Sequence, residues 1–178
     1  KYYEVDYLEF DNSEKLSFFD ILAFFTHSNK QSNQMVIDKI KSFRPDVVYV
    51  HNTWFKGSLG IFDILSKKGI KTLVKIHNFR YLCASHYLTK KHIQNGEICR
   101  ACNLDIKSVS FFNKYYENSF IKSFLLIKYT KKFIKVLKEY KLKILTITNF
   151  HKKYLSNLKI DPDKIILYLN PIELVQKE

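Results

Sequence analysis

The sequence predicts an α/β domain with a mainly parallel sheet flanked by helices, and three observations carry that expectation. Val47, Val48, Tyr49 and Val50 form a short continuous apolar run, largely β-branched, the pattern of a strand covered on both faces. A second run, Thr72-Leu73-Val74-Lys75-Ile76, has the same character, and both runs stop at the same pair of residue types, His51-Asn52 and His77-Asn78. Between them Leu59, Phe62, Ile64 and Leu65 recur at helical spacing, Lys67 and Lys68 occupy the last turn and Gly69 follows, which reads as a helix with a glycine C-cap. Strand, helix and strand at this spacing make a βαβ unit, whose strands are parallel, so the sheet is Rossmann-like. Ligands of such sheets sit beyond the carboxyl ends of the strands. The repeated His-Asn endings therefore place titratable, hydrogen-bonding groups where a ligand would bind.

The remaining elements follow in order. Tyr3 to Phe10 alternates apolar and acidic residues, the period of a half-exposed strand at a sheet edge. Asn12, Ser13 and Glu14 open a segment crowded with Phe18, Phe19, Ile21, Leu22, Phe24 and Phe25, a helix packed on the sheet. Met35, Val36, Ile37 and Ile40, with Lys39 and Lys41 opposite, give an amphipathic helix that ends at Arg44, the residue restricted by Pro45. Leu142 to Ile147 reads as a strand. Thr148 or Asn149 then caps a helix carrying Tyr154, Leu155 and Leu158, whose free N–H groups beyond a strand end form a usual anion site. Asp161-Pro162 turns the chain into a last strand, Ile165 to Leu169.

Ser119 to Lys143 holds Lys122, Lys128, Lys131, Lys132, Lys135, Lys138, Lys141 and Lys143 against the single acid Glu139. On a helix, Lys128, Lys131, Lys132, Lys135 and Lys138 share one face, and Leu126, Tyr129, Phe133, Val136, Leu137 and Tyr140 share another. The apolar face packs on the sheet; the lysines are either a solvated face or a contact for anionic lipid headgroups.

The length of 178 residues fits one domain with a substantial core. A net charge of +13 implies an acidic partner, whether nucleotide, phospholipid surface or nucleic acid. No apolar run reaches the ~18 residues of a membrane-spanning helix, and no signal peptide is recognised. The chain begins at Lys1 and its one methionine is Met35, the pattern of a fragment or a processed chain. Three cysteines, an odd number, argue against a disulfide framework and for a reducing cytoplasm. Cys83, His86, Cys99 and Cys102 stand as C-x2-H-x12-C-x2-C, a spacing at which four ligands can converge on a structural zinc; the alternative is three reduced thiols, and no metal is assigned.

In Pro45-Asp46-Val47-Val48-Tyr49-Val50-His51-Asn52 and Ile76-His77-Asn78-Phe79-Arg80-Tyr81-Leu82-Cys83 the chain resembles the N-terminal domain of glycosyltransferase family 4, one half of a GT-B fold. The likeness runs on through Asn95 to Cys102 and ends in Asp161 to Pro171. It implies a Rossmann-like acceptor-binding domain over 1–172, the start of an interdomain linker over 173–178, and a donor-binding second domain that this sequence does not contain. The implied enzyme transfers a hexosyl group, with retention, from a nucleotide-diphosphate sugar to a glycan or lipid-linked acceptor, as in polysaccharide biosynthesis, and requires no cofactor for catalysis. By that resemblance His77 would stand in the cleft near the transferred sugar as the catalytic-site residue, a hydrogen-bond donor or acceptor, with His51 and Asn52 lining the same cleft; the alternative for each His is a structural role. Asn78 is a further substrate-binding candidate. Arg80 either pairs with a phosphate or acidic acceptor or caps a helix, and Thr148 and Asn149 either bind an anion at their helix start or only cap it. The implied setting is cytoplasmic, peripheral at the inner face of the plasma membrane. Family members begin with a further strand and a glycine-rich loop that Gly57, Gly60, Gly69 and Gly96 do not match.

Two other classes stay open. A noncatalytic carbohydrate- or partner-binding α/β domain would use the same strand ends. A basic nucleic-acid-binding module would use the same lysines, but no zinc-finger, RNP or helix-turn-helix signature accompanies them, so no nucleic acid is expected.

Overall fold

The computed structural model describes residues 3–11, 18–53, 56–77 and 119–169. Strands β1 (Val47–Val50), β2 (Lys71–Ile76), β3 (Leu142–Thr146) and β4 (Ile165–Leu167) pair in the order β1-β2-β3-β4, and every pair is parallel. Helices α1 (Phe18–Thr26), α2 (Lys30–Phe43), α3 (Gly60–Lys67), α4 (Phe120–Glu139) and α5 (Asn149–Asn157) flank them. The protein is an α/β fold with a Rossmann-like parallel sheet.

Local chemistry sets most element ends. Asn29 starts α2 well before Met35, because its side chain accepts from the N–H groups of Gln31 and Ser32. The helix stops where Arg44 turns left-handed at φ 51 and donates its N–H to the Ile40 carbonyl. Gly69, at φ 66, closes α3 as expected: its N–H bonds the Ser66 carbonyl while Ile70 N–H bonds Leu65. Thr148 caps α5 by accepting from His151 N–H. The Lys164 ammonium closes the far end of α4, donating to the carbonyls of Leu137, Lys138 and Tyr140, a cation where the helix dipole is negative.

The core joins Val74, Ile76, Leu142 and Ile144 of the sheet to Phe62 and Leu65 of α3, to Tyr129, Phe133, Val136 and Leu137 of α4, and to Leu155 of α5. The apolar face assigned to the basic helix is thus the buried one, with Tyr140 half-buried just past its end.

Two expectations are corrected. Residues 3–10 take no regular secondary structure and form no edge strand. Their alternation changes phase: Tyr3, Val5 and Tyr7 face water, while Leu8 and Phe10, in the other phase, are half-buried, so no single apolar face exists to pair. The strands are also not covered equally on both faces. Thr72, Val74 and Ile76 of β2 are buried and Leu73 and Lys75 half-buried, and Leu142, Ile144 and Thr146 of β3 are buried while Lys143 is exposed.

Candidate functional site

Register and pleat bring the two repeated histidines together. Val50 pairs with Val74, which sets His51 level with Lys75, and residues level in parallel strands point to the same face. His77 is two residues beyond Lys75 and shares that phase. The rings of His51 and His77 consequently stack, with centroids 4.4 Å apart and planes 18° from parallel. Tyr49 lies on the same face of β1, its ring centroid 6.3 Å from that of His51. All of these groups belong to the less covered face of the sheet, at the carboxyl ends of the strands.

A third histidine completes the group. His151 lies in the first turn of α5, just past β3, and is 4% exposed. Its Nδ1 stands 3.0 Å from the Thr148 hydroxyl, the group that caps the helix. Burial pushes its pKa down, and the neighbouring His77 pushes it the same way. Exposure is graded across the cluster, from exposed His51 through half-buried His77 to buried His151. Lys75 adds a half-buried cationic side chain on the same face. Of the three rings that of His51 is the exposed one, while Nδ1 of His77 and Nε2 of His151 are buried and the Thr148 hydroxyl is held by His151.

The β1–α3 loop that follows His51 is held by a buried polar platform. Asn29 donates through Nδ2 to Asp20 (2.7 Å), and its N–H donates to the Ser58 hydroxyl (3.0 Å). The Ser32 hydroxyl donates to the Lys56 carbonyl, and the hydroxyls of Thr53 and Tyr129 lie 2.7 Å apart. A Cβ on Gly60 would come within 2.6 Å of the Ser28 hydroxyl and 2.9 Å of the Asn33 side-chain amide, so α2 and α3 approach this closely because residue 60 is glycine. The platform ties the loop to α1, α2 and α4. Beside β1, a cavity of about 940 Å³ lies between residues 4–11 and the strand and reaches His51 and Asn52 at its upper end.

Of the residues expected at the site, His51, Asn52 and His77 meet at the ends of β1 and β2, and Thr148 joins them through His151. Asn149 is exposed on the first turn of α5. Asn78 and Arg80 lie outside the described residues, as do Cys83, His86, Cys99, Cys102 and the linker segment 173–178. Among the described residues, no group of His, Cys, Asp or Glu is arranged to hold a metal ion. Sequence reasoning missed His151, Lys75 and the Asn29 platform. The signal for His151 was present in Thr148-x-x-His151, since the residue three after an N-cap stands in the first turn beside the capping side chain, just beyond the strand end.

No family model, curated protein or solved structure matches the chain.

Proposed function

We propose that this chain is the acceptor-side domain of a sugar-transferring enzyme of the glycosyltransferase family 4 type. The intact enzyme moves a hexosyl group from a nucleotide-diphosphate sugar to a glycan or lipid-linked acceptor. The observation that carries the reading is the stacked pair of His51 and His77 at the carboxyl ends of adjacent parallel strands, backed by His151. Open parallel sheets bind ligands at this place. Stacking holds each ring against the other and so fixes the exposed imidazole of His51 at the strand ends, where a bound sugar would meet a group already in position. The resemblance of the His51-Asn52 and His77-Asn78 endings to the family adds the reaction class. In the transfer, an acceptor hydroxyl bonds to the anomeric carbon as the bond to the diphosphate oxygen breaks, and the hydroxyl's proton passes to the departing diphosphate. His77 hydrogen-bonds the sugar or the departing oxygen.

The test uses the full-length protein with its donor domain. His77→Ala is expected to lower kcat/KM by about 10²-fold or more while the melting temperature stays close to that of the parent. His51→Ala removes the stacking partner and is expected to have a smaller effect in the same direction. A His77→Ala enzyme that is destabilised but fully active overturns the reading. Saturable sugar binding at the three histidine rings, seen by NMR, with no transfer by the full-length protein would instead leave a noncatalytic carbohydrate-binding domain.

A further inference from the structure

The outward face of α4 differs from an ordinary solvated lysine stripe. Ile121 is 70% exposed and Phe124 50% exposed, and both fall on the stripe that carries Lys128, Lys131, Lys132, Lys135 and Lys138. At 3.6 residues per turn these seven positions lie within an arc of about 120°. The order along the helix is apolar first and basic afterwards. The Lys128 ammonium sits 5.3 Å from the centre of the Phe124 ring, joining the two parts. Among the described residues one carboxylate meets the stripe, that of Glu139, at 3.7 Å from Lys135.

The position of this stripe matters as much as its composition. α4 leads into β3 through the two residues Tyr140 and Lys141, so it runs back along the sheet with its first residues at the carboxyl ends of the strands. The 20-residue helix is about 30 Å long and the five-residue β3 about 17 Å, so α4 overhangs the strand by about 13 Å. The bond between the hydroxyls of Tyr129 and Thr53 fixes the level: Thr53 is already past the end of β1, and residues 120–128 extend beyond it. Ile121 and Phe124 therefore project at the same end of the sheet as His51, His77 and His151.

We propose that this stripe docks on an anionic phospholipid surface, with Ile121 and Phe124 entered at the boundary of headgroups and acyl chains and the lysines lying along the lipid phosphates. An apolar tip followed by a basic stripe supplies the two attractions that act together at an anionic bilayer, burial of apolar area at the headgroup boundary and attraction to the lipid charge. A nucleic-acid groove would call for aromatic groups interleaved with the cations rather than set ahead of them. Docking in this sense lays α4 and the strands along the bilayer with the inserted Ile121 and Phe124 at the carboxyl end of the sheet, so an acceptor carried on a lipid would reach the histidine cluster from beside that inserted tip. That last consequence rests on the sugar-transfer reading; the docking itself does not.

Vesicle flotation of the chain tests the docking without donor or acceptor. Vesicles of equal parts phosphatidylcholine and phosphatidylglycerol are expected to bind it, pure phosphatidylcholine vesicles to bind it weakly, and salt to release it. Each of Lys131, Lys135 and Lys138 replaced by Gln is expected to lower the partition coefficient about five-fold. Phe124→Ser is expected to lower it about ten-fold or more, with the salt dependence kept. Phe124→Trp reports depth: its added emission, read against the unchanged chain, shifts to the blue and is quenched by brominated lipid. Circular dichroism confirms that each variant is folded, since all these positions face water. Binding that survives both the lysine and the Phe124 variants would overturn the proposal. So would an added emission in Phe124→Trp that stays that of a water-exposed indole, or tighter binding to a duplex oligonucleotide than to the anionic vesicles. Loss of sugar transfer in His77→Ala with vesicle binding intact separates the two readings.

Discussion

The two flanks of the sheet are built to different standards. On the β3–β4 side, Ile144, Leu137 and Leu155 are completely buried, and Leu158, Ile160 and Ile165 seal the space between sheet and helix. α5 closes with bonds from Lys159 N–H to the Ser156 carbonyl and Ile160 N–H to Leu155, the glycine-type ending made here by a lysine at φ 61. On the β1 side, Val47 and Tyr49 are nearly half-exposed, and a cavity of about 940 Å³ separates the strand from residues 4–11. That segment touches the body through the Asp6–Lys39 ion pair and the Phe10 ring, which packs near Gly57. The candidate site straddles the boundary, with His151 on the closed flank, His51 on the open one and His77 between. A binding cleft needs this asymmetry: one wall rigid enough to position groups, the other open enough to admit a ligand.

The sharpest way to break the comparison is to truncate one branched side chain on each flank. Ile144→Ala leaves a hole in a fully enclosed place and is expected to cost about 2 to 5 kcal/mol. Val47→Ala, on the open flank, is expected to stay within about 0.5 kcal/mol. Thermal melts of the two variants check this. Equal losses would show that the β1 side is packed as tightly as the β3 side.

Gly60→Ala probes the joint between the flanks. The added Cβ would press on the side-chain ends of Ser28 and Asn33, which hydrogen-bond each other at the first turn of α2, so that pair must shift. The expected cost is about 1 to 3 kcal/mol. Because the same loop carries Ser58 and Thr53, ligand affinity at the histidines should fall along with the melting temperature.

How much of this was legible in the sequence follows from what each part depends on. β1, β2, the glycine that ends α3 and the division of α4 into wet and dry faces are written in runs of neighbouring residues, and the structure has them at or within a residue or two of the expected places. The convergence of His51 and His77 was legible because both are fixed by one register. His151 was legible in part: Thr148-x-x-His151 puts it in the first turn beside the cap, while its approach to His77 depends on where α5 leans after Thr148. The Asn29 platform was not, because Asn29, Ser58 and Asp20 are brought together by tertiary packing over long sequence separations. Residues 3–10 misled because local alternation holds for a strand only when one phase is apolar throughout.

The graded burial of the histidines gives a pH dependence. His151 and His27 both have pKa values pushed below the usual imidazole range, in each case first by burial and then by neighbours, His77 for the former and Lys128 and Lys132 for the latter. The unfolded chain therefore binds more protons than the folded one below the unfolded pKa of about 6.5. Stability is full above that pH, declines as pH falls below it, and levels off under the folded pKa values. Melting temperatures measured from about pH 7.5 down to about pH 5 should show the decline, and His151→Gln should flatten it. An unchanged slope in His151→Gln would mean that the closed wall of the cleft does not hold this ring neutral.

The smallest effect is expected on the open flank, at Asp6. Its carboxylate lies 2.7 Å from the Lys39 ammonium, and both side chains are more than a third exposed. The hydrogen bond from Lys39 holds the Asp6 carboxyl below the usual range, helped by Tyr7 N–H and opposed by desolvation. A depressed carboxylate stabilises the folded chain above its unfolded pKa and loses that contribution as pH falls through the folded value. Here water surrounds the pair, so each ion gives up little hydration and gains little attraction. Asp6→Asn keeps the shape and removes the charge. The expected result is an unchanged melting temperature at neutral pH together with faster amide exchange in residues 4–11, because the pair holds the segment locally and takes no part in the cooperative core. A melting-temperature loss comparable to that of Ile144→Ala would place residues 4–11 inside the folding unit, and the two flanks would no longer differ in kind.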